Sequence, residues 1–426
     1  MSSDLVADVD VIIIGAGAAG LSAAKELALL GLSYRVVEGS HRIGGRAYSE
    51  EIAPGVWFDL GCSYLHQGAT NPFGPIADSL GIEINRAWDN MYEPDHIRCI
   101  YNGTLLEPDE RKALDRYWEA CNEALEASAG RGEDRAIADL VDMDHPFFQP
   151  FANSLSELNA MDIDETSAAD FMAFGDDDTG PSSDIPVPGG YGNLVKAWGA
   201  DVEVALNSRA EKINWSGPGV TVDTVKGSIR GRAALVTVST GILAADHITF
   251  APRLPDWKVE AFLSVPTGAA NKICLHFDRD VFGTDGLGFY TTWNENGEGA
   301  GVEASANGNN TAIVFVGGRH AVWLEKQGQA AGHDHAVSRV TDVFGNDIKK
   351  RITRSIVTAW AGEPWTLGSY SAAKPGQAHQ RHELAKPIDG RLFFAGEATD
   401  VGAHATCHGA LKSGIRAARE IAVALG

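Results

Sequence analysis

Along this chain the apolar positions change period several times, and each change marks an element. Residues Val9 to Glu38 open on VDVIII, apolar except for Asp10, and pass through the turn GAGAAG. They continue at helical spacing through AAKELALLG as far as Gly31 and end in SYRVVEG. A buried strand, a tight turn, a helix and a second strand are predicted there. The stretch EPDERKALDRYWEACNEALEA predicts a long amphipathic helix, with Asp109 capping its start and Leu114, Tyr117, Trp118, Cys121 and Leu125 on the buried face. Phe174 to Tyr191, FGDDDTGPSSDIPVPGGY, concentrates Gly, Pro, Asp and Ser and predicts a crossing between two bodies of structure. Beyond it the short β-like runs ADVEVAL, VTVDTV and ALVTVS precede NKICLHFD, GFYTTW, TAIVFVGG and RSIVTAW, whose stricter alternation predicts an antiparallel sheet. The chain closes on a buried strand, LFFAGEA, and a final helix.

A length of 426 residues, at about 150 residues per domain, predicts two or three domains. The hydrophobic share of 44% and charged share of 22% are those of an ordinary soluble globular protein. A formal charge of −22 repels nucleic acid and anionic membranes, leaving small molecules and cations as ligands. Asp162, Asp164, Glu165 and Asp176 to Asp178 are among the acidic residues that would gather a cationic substrate or simply keep the chain soluble. Cys62, Cys99, Cys121, Cys274 and Cys407 are odd in number and without paired spacing, which points to reduced thiols and no metal site. No apolar run approaches the roughly 18 residues of a membrane span, and no signal peptide fits before Val11, so a cytoplasmic location is expected.

Gly15, Gly17 and Gly20 form GxGxxG after a strand and at the opening of a helix. The first glycine permits the turn, the second lets backbone approach a pyrophosphate, and the third lets helix and strand pack closely. The amides of Ala18, Ala19 and Gly20 stand at the positive end of the helix dipole. Glu38 follows eighteen residues after Gly20, placed to accept hydrogen bonds from an adenosine ribose, with Gly39 beside it. Next comes HRIGGRAYS, in which Arg42 and Arg46 bracket Gly44 and Gly45 and offer cationic forks to a second phosphate. Together the two motifs resemble the FAD-dependent oxidoreductases.

Three further stretches resemble the flavin-containing amine oxidases, the family of monoamine oxidases, polyamine oxidases and flavin-dependent histone demethylases. The likeness runs nearly end to end and is closest in motifs to the polyamine oxidases. FDLGCSYLHQGATNPFGPIADSLG is similar to the polyamine oxidase segment after the arginine motif, with Asp59, Gly61, His66, Asn71 and Pro72 at the family's places. Cys62, Ser63 and Tyr64 lie in the same run, and the resemblance adds them and Ala210 to the FAD contacts. FFAGEATDVGAHATCHGALKSGIRAA resembles the family's flavin-binding end, which implies that Gly396, Glu397, Thr406, Cys407 and Ala410 approach the cofactor, with His408 and Gly409 opening the last helix. NKICLHFD resembles the strand bearing the lysine beside flavin N5, which gives that role to Lys272. Its alternation puts Ile273, Leu275 and Phe277 on one face and Lys272, Cys274 and His276 on the other. In TAWAGEPWTLGSYS the resemblance makes Tyr370 one wall of an aromatic amine cage and Trp360 a flavin or pocket contact, with Thr406 at the opposite wall. Ser369 stands where monoamine oxidases carry their flavin-linked cysteine, so FAD is expected to be held noncovalently.

Departures shape the expectation as well. Tyr64 replaces the arginine with which amino-acid oxidases of this fold clamp a carboxylate, which argues against amino acids as substrates. Gln67 stands where glycine is usual and Thr240 where proline is common, while His66 reads equally as a substrate contact or as a histidine bonded near the flavin. The fold class expected is α/β, α+β overall: a Rossmann-like FAD-binding domain interleaved with a substrate domain of antiparallel sheet plus helices. FAD-binding parts are expected at 1–80, 191–264 and 356–426, with the helical and sheet parts of the substrate domain at 81–190 and 265–355. The expected function is oxidation of a polyamine or diamine, with O2 as the other small-molecule partner and hydrogen peroxide as product. A monoamine or cyclic amine oxidase, and an FAD-dependent desaturase or dehydrogenase of an apolar compound, are the alternatives. A histone-tail demethylase would carry further protein-binding modules, for which a chain of 426 residues has no room.

Overall fold

The computed structural model describes residues 7–86, 97–175, 184–283, 286, 288–305 and 308–426. Two large sheets organise them. In the first, the strand order is Thr249–Ala251, Ala210–Asn214, Val220–Thr224, Gly227–Val236, Val9–Ile14, Tyr34–Val37 and Val204–Ala205. Val9–Ile14 lies parallel to both Tyr34–Val37 and Gly227–Val236, the arrangement expected of a strand, helix, strand unit. Gly227–Val236 serves two neighbours in turn: its first half pairs antiparallel with Val220–Thr224, and its second half pairs parallel with the late strand Leu392–Phe394. Strands from the start, middle and end of the chain therefore share one sheet.

Its central strand is apolar on both sides because both faces are covered. Val11 and Ile13 pack with the helices Ala18–Leu29 and Cys407–Leu425, while Ile12 and Ile14 join a second core on the other face. The first and last helices meet at glycine. A Cβ on Gly414 would sit 2.1 Å from Ala19 O, and Ser22 Oγ donates to Leu411 O at 2.9 Å across the contact.

The second sheet runs Ile352–Val357, Ala270–Phe277, Thr311–Gly317, Gly299–Ala304, Gly288–Trp293, Ile97–Tyr101 and Thr104–Leu105. It is antiparallel through its first five strands, as the alternation predicts, and Gly288–Trp293 then pairs parallel with Ile97–Tyr101. Ile273, Leu275 and Phe277 face a core shared with the helices Gly318–Gln327 and Gln329–Phe344, whereas Cys274 belongs to a small cluster on the opposite side. The two-faced reading of NKICLHFD holds.

The long helix spans Pro108–Gly130, with Leu114, Tyr117, Cys121 and Leu125 buried. Its cap is Glu107 rather than Asp109: Glu107 and Glu110 form a reciprocal capping box, Pro108 takes the first helical position, and Asp109 falls inside the first turn. No helix among the described residues is long and apolar enough to cross a membrane.

Candidate active site

The glycine motifs meet one another. Gly15 turns at φ +108°, and a Cβ on Gly20 would lie 1.9 Å from Gly15 O, so the helix sits directly on the turn. Gly44 N donates to Ala16 O at 2.8 Å, and Gly17 bridges to Gly44. Gly17 faces open space: a Cβ there would meet nothing nearer than Gly44 O at 3.9 Å. No side chain caps the helix above it, and no acidic residue stands in its first turn. Uncapped amides of Ala18, Ala19 and Gly20 over a glycine floor of Gly17, Gly44 and Gly45 are the donor set a pyrophosphate requires, so these residues fit the FAD that the sequence implies.

Glu38 ends the second strand, where its carboxylate accepts from Ala16 N and Ser40 N, each at 2.8 Å. Gly39 lies beneath the Trp365 ring, which a Cβ would approach to 2.7 Å, and Ala210 is buried at the start of its strand next to this turn. Arg42 donates to Gly45 O at 2.7 Å and lies 3.9 Å from the Tyr48 ring. Arg46 Nη1 donates to both Ser369 O and Glu397 Oε1 at 2.8 Å, which ties the arginine motif to the chain's last quarter.

Glu397 is a strut. Its other oxygen accepts from Ser371 Oγ at 2.7 Å and from Ala405 N at 3.0 Å. Burial works against its charge, but Arg46 and Arg381 hold the carboxyl below its usual range. Arg381 is fully buried, bonded to Asp170 at 2.5 and 2.8 Å and to Ser371 Oγ at 2.9 Å. The pairing of Asp170 with Arg381 spans 211 residues and leaves no local pattern in the sequence. With the Glu397 side chain turned inward, the main chain of Gly396 and Glu397 is the part left to meet a cofactor.

Lys272 stands where three segments converge. Its Nζ donates to Gly61 O at 2.5 Å and Ser63 Oγ at 2.6 Å. Gly61 is obligatory there, because a Cβ would fall 1.6 Å from Arg46 O. Burial pushes the Lys272 ammonium below its usual range, while Asp59 pulls it back up. Asp59, whose own carboxyl burial pushes up, accepts from Ser49 Oγ and from Tyr191 N at 3.1 Å. Trp360 is buried and bolted in place, its indole N–H donating to Leu60 O at 2.9 Å and its amide to Asn271 Oδ1 at 3.0 Å.

Tyr370 donates its hydroxyl to Glu157 O, and burial drives its phenol well above the ordinary range. The Ser369 hydroxyl is taken up by backbone, accepting from Ala270 N at 2.8 Å and donating to Gly268 O at 3.2 Å. Thr406 caps the last helix, accepting from Gly409 N at 3.0 Å and donating to Ala403 O at 2.7 Å. Cys407, the first residue of that helix, meets Cys62; this contact, with burial, keeps the proton on the Cys62 thiol. Ala410 follows within the first turn, its amide bonded to Thr406 O at 3.2 Å.

His66 Nδ1 lies 2.7 Å from Asp184 Oδ1; burial works against its charge, yet Asp184 raises its pKa overall. Gln67 has φ +55°, a conformation that suits glycine, and its side chain compensates, its Oε1 accepting from His408 Nε2 at 2.8 Å. Asn71 closes the same loop, donating to His66 O at 2.7 Å and accepting from Phe73 N at 3.0 Å. The Tyr64 hydroxyl donates to buried Glu303. Thr240 Oγ1 bonds Thr267 Oγ1 at 2.8 Å.

The acidic cluster differs from its sequence reading. Asp162, Asp164 and Glu165 share one guanidinium, Arg319, at 2.6, 2.8 and 3.8 Å, so much of their charge is matched. Asp176 to Asp178 lie outside the described residues.

Known proteins resolve the lineage. The family described as flavin containing amine oxidoreductase matches residues 18–422. This chain belongs to that family. Among curated relatives, Lysine-specific histone demethylase 1 homolog 1 of Oryza sativa subsp. japonica is 30% identical over 96% of this chain and 52% of its own length. Polyamine oxidase 4 of the same source is 27% identical over 96% of this chain and 88% of its own length. The chain thus spans about half the length of the demethylase relatives it matches. Cyclohexylamine oxidase from Brevibacterium oxydans IH-35A shares the fold with a TM-score of 0.80 at 22% identity, covering 98% of this chain and 99% of that one. A flavin amine oxidoreductase fold and an FAD cofactor are therefore what the early motifs implied.

Proposed function

We propose that this protein oxidises an amine, a diamine or polyamine for preference, at noncovalently bound FAD. When bound, FAD would supply the redox chemistry, as acceptor of a hydride from the carbon beside the amine nitrogen and as donor of the electrons to O2, which leaves as hydrogen peroxide. Amine, O2 and water become aldehyde, hydrogen peroxide and ammonia or a shorter amine. The observation that carries this reading is Lys272, an ammonium held by Gly61 O and Ser63 Oγ where the arginine-motif loop meets the second sheet, with one N–H left by the described residues to orient water.

The chain's own work is positioning and exclusion of water. Arg46, Glu397 and Ser371 fix the loops on either side of the cofactor face, and Trp360 and Tyr370 supply apolar surface that favours a neutral amine. Tyr64 brings no cation for an α-carboxylate, and its hydroxyl is already engaged by Glu303. A desaturase of an apolar compound would have no use for Lys272. The demethylase relatives support a second reading, an N-methylated lysine as the amine.

One experiment separates these readings. The purified holoprotein is mixed anaerobically with putrescine, spermidine, a benzylic amine, a dimethyl-lysine peptide and an amino acid, and flavin absorbance is followed. Bleaching by putrescine or spermidine is expected; bleaching by the peptide alone favours the second reading, and bleaching by the amino acid alone overturns both.

A further inference from the structure

Asn271 stands next to Lys272 on the strand Ala270–Phe277 and, by alternation, turns its side chain to the opposite face, where the helix Gly318–Gln327 packs. There its amide is pulled two ways. Nδ2 donates to Glu325 Oε2 at 3.0 Å, while Oδ1 accepts from Trp360 N at 3.0 Å and from Thr358 Oγ1 at 3.1 Å. Glu325 also takes the next two amides of the same turn, Ala361 N at 3.1 Å on Oε2 and Gly362 N at 2.6 Å on Oε1. The successive N–H groups of Trp360, Ala361 and Gly362 are thus collected by one carboxamide and one carboxylate. Thr358 closes the branch to the neighbouring residue, its Oγ1 accepting from Lys272 N at 2.8 Å.

These bonds form a circuit with the site on the other face. The Trp360 indole donates to Leu60 O and Lys272 Nζ to Gly61 O, consecutive carbonyls of one loop, while the main chains of the two residues are joined through Asn271. Where the ring and the ammonium stand relative to each other is therefore set from behind the strand. A carboxylate only accepts hydrogen bonds, so Glu325 forces the NH2 end of Asn271 toward itself and the carbonyl end toward Trp360 N. A cavity of about 230 Å³ lined in part by Asn271, Glu325, Thr358 and Gln329 lies beside the network, so packing alone does not decide which way the amide turns. Asn271 and Thr358 are buried, which makes a misturned amide costly.

We propose that Glu325 and Asn271 are positioning residues, which set the Lys272 ammonium and the Trp360 ring against the reacting amine from the far side of the strand. The role rests on the amine-oxidase reading above, since it governs rate only if Lys272 acts in the flavin chemistry. Its signature is the polarity of the pair. An exchange that leaves two donors or two acceptors facing each other between 271 and 325 releases Trp360, whereas exchanging both together holds it.

The test reverses that polarity in the holoprotein. Asn271→Asp sets two carboxylates face to face, Glu325→Gln leaves an N–H group facing a donor, and the double variant Asn271→Asp/Glu325→Gln restores a donor opposite an acceptor. Flavin reduction by putrescine and reoxidation by O2 are followed by stopped flow beside Lys272→Met. Hydrogen exchange of the Trp360 indole N–H, assigned with Trp360→Phe, is followed by heteronuclear NMR. Each single variant is expected to keep FAD, to slow the phase that Lys272→Met slows by roughly ten-fold, and to speed indole exchange; the double variant recovers much of both. Thr358→Val, which cuts the branch to Lys272 and leaves the bond to Trp360 N, slows the same phase with the indole still protected, and keeps the idea testable should variants at 271 fold poorly. Unchanged flavin rates in the single variants, or a double variant no better than Asn271→Asp, overturn the positioning role and leave amine oxidation standing. If no amine bleaches the flavin, or Lys272→Met changes neither phase, the underlying reading falls and this role with it.

Discussion

Lys272 Nζ and Ser63 Oγ are joined by a hydrogen bond of 2.6 Å between residues 209 positions apart in sequence. That bond ties the second sheet to the loop leading out of the arginine motif. The glycine at 61, which cannot carry a Cβ against Arg46 O, is what lets the loop come so close.

The glycine floor makes its own prediction. Gly17→Ala adds a methyl group into space that the protein leaves open to 3.9 Å, at a φ of −77° that alanine adopts readily. It should leave the stability of the apoprotein within about 1 kcal/mol while weakening FAD retention. Gly20→Ala, whose Cβ would meet Gly15 O at 1.9 Å, should destabilise the apoprotein itself. Denaturant melts of the stripped proteins and flavin content after dialysis check the contrast; equal behaviour of the two variants would contradict it.

Burial of Glu157 should show in stability against pH. Its folded pKa of about 8 exceeds its ordinary value of 4.5, so between these values the native state holds more protons than the unfolded one. Stability is then unaffected by this group below about pH 4.5, falls as pH rises through the window, and levels above about pH 8. Glu157→Gln does not titrate, so its melting temperature relative to the native protein should rise from pH 4.5 to pH 8. A constant difference across that range would mean the carboxyl ionises freely.

Lys258 is hydrogen-bonded to backbone carbonyls alone among the described residues. Fully buried, it donates to Glu383 O, Leu384 O and Lys386 O at 2.7, 2.8 and 2.7 Å, and so collects the last carbonyls of the helix Gln380–Ala385. Lys258→Met leaves those carbonyls without a donor and should cost about 3 kcal/mol in urea unfolding of the holoprotein. A loss under about 0.5 kcal/mol would show that water or backbone replaces it.

Much of the fold is legible in the sequence because its signals are local. The glycine turn, the alternation of NKICLHFD and the helical spacing from Leu114 to Leu125 each lie within one element. The strands Ile97–Tyr101 and Gly299–Ala304 carry no such signal, the latter because GAGVEA interrupts its apolar pattern with glycine. Lys272 and Arg46 stand in motifs that the sequence displays, whereas what meets across the fold does not show in it, because distant chain segments come together there. Asp170 with Arg381, Gln67 with His408, and Glu157 over Gly301 are such meetings. Gln67 is the instructive case, since a departure from glycine became a left-handed residue anchored by its own side chain.

The most direct measurement of the account is stopped-flow kinetics of Lys272→Met beside the native protein, following flavin absorbance as putrescine reduces it and as O2 restores it. FAD should remain bound, while at least one of the two phases slows by about a hundred-fold. Unchanged rates in both phases, with flavin retained, would contradict the placement of the chemistry at Lys272.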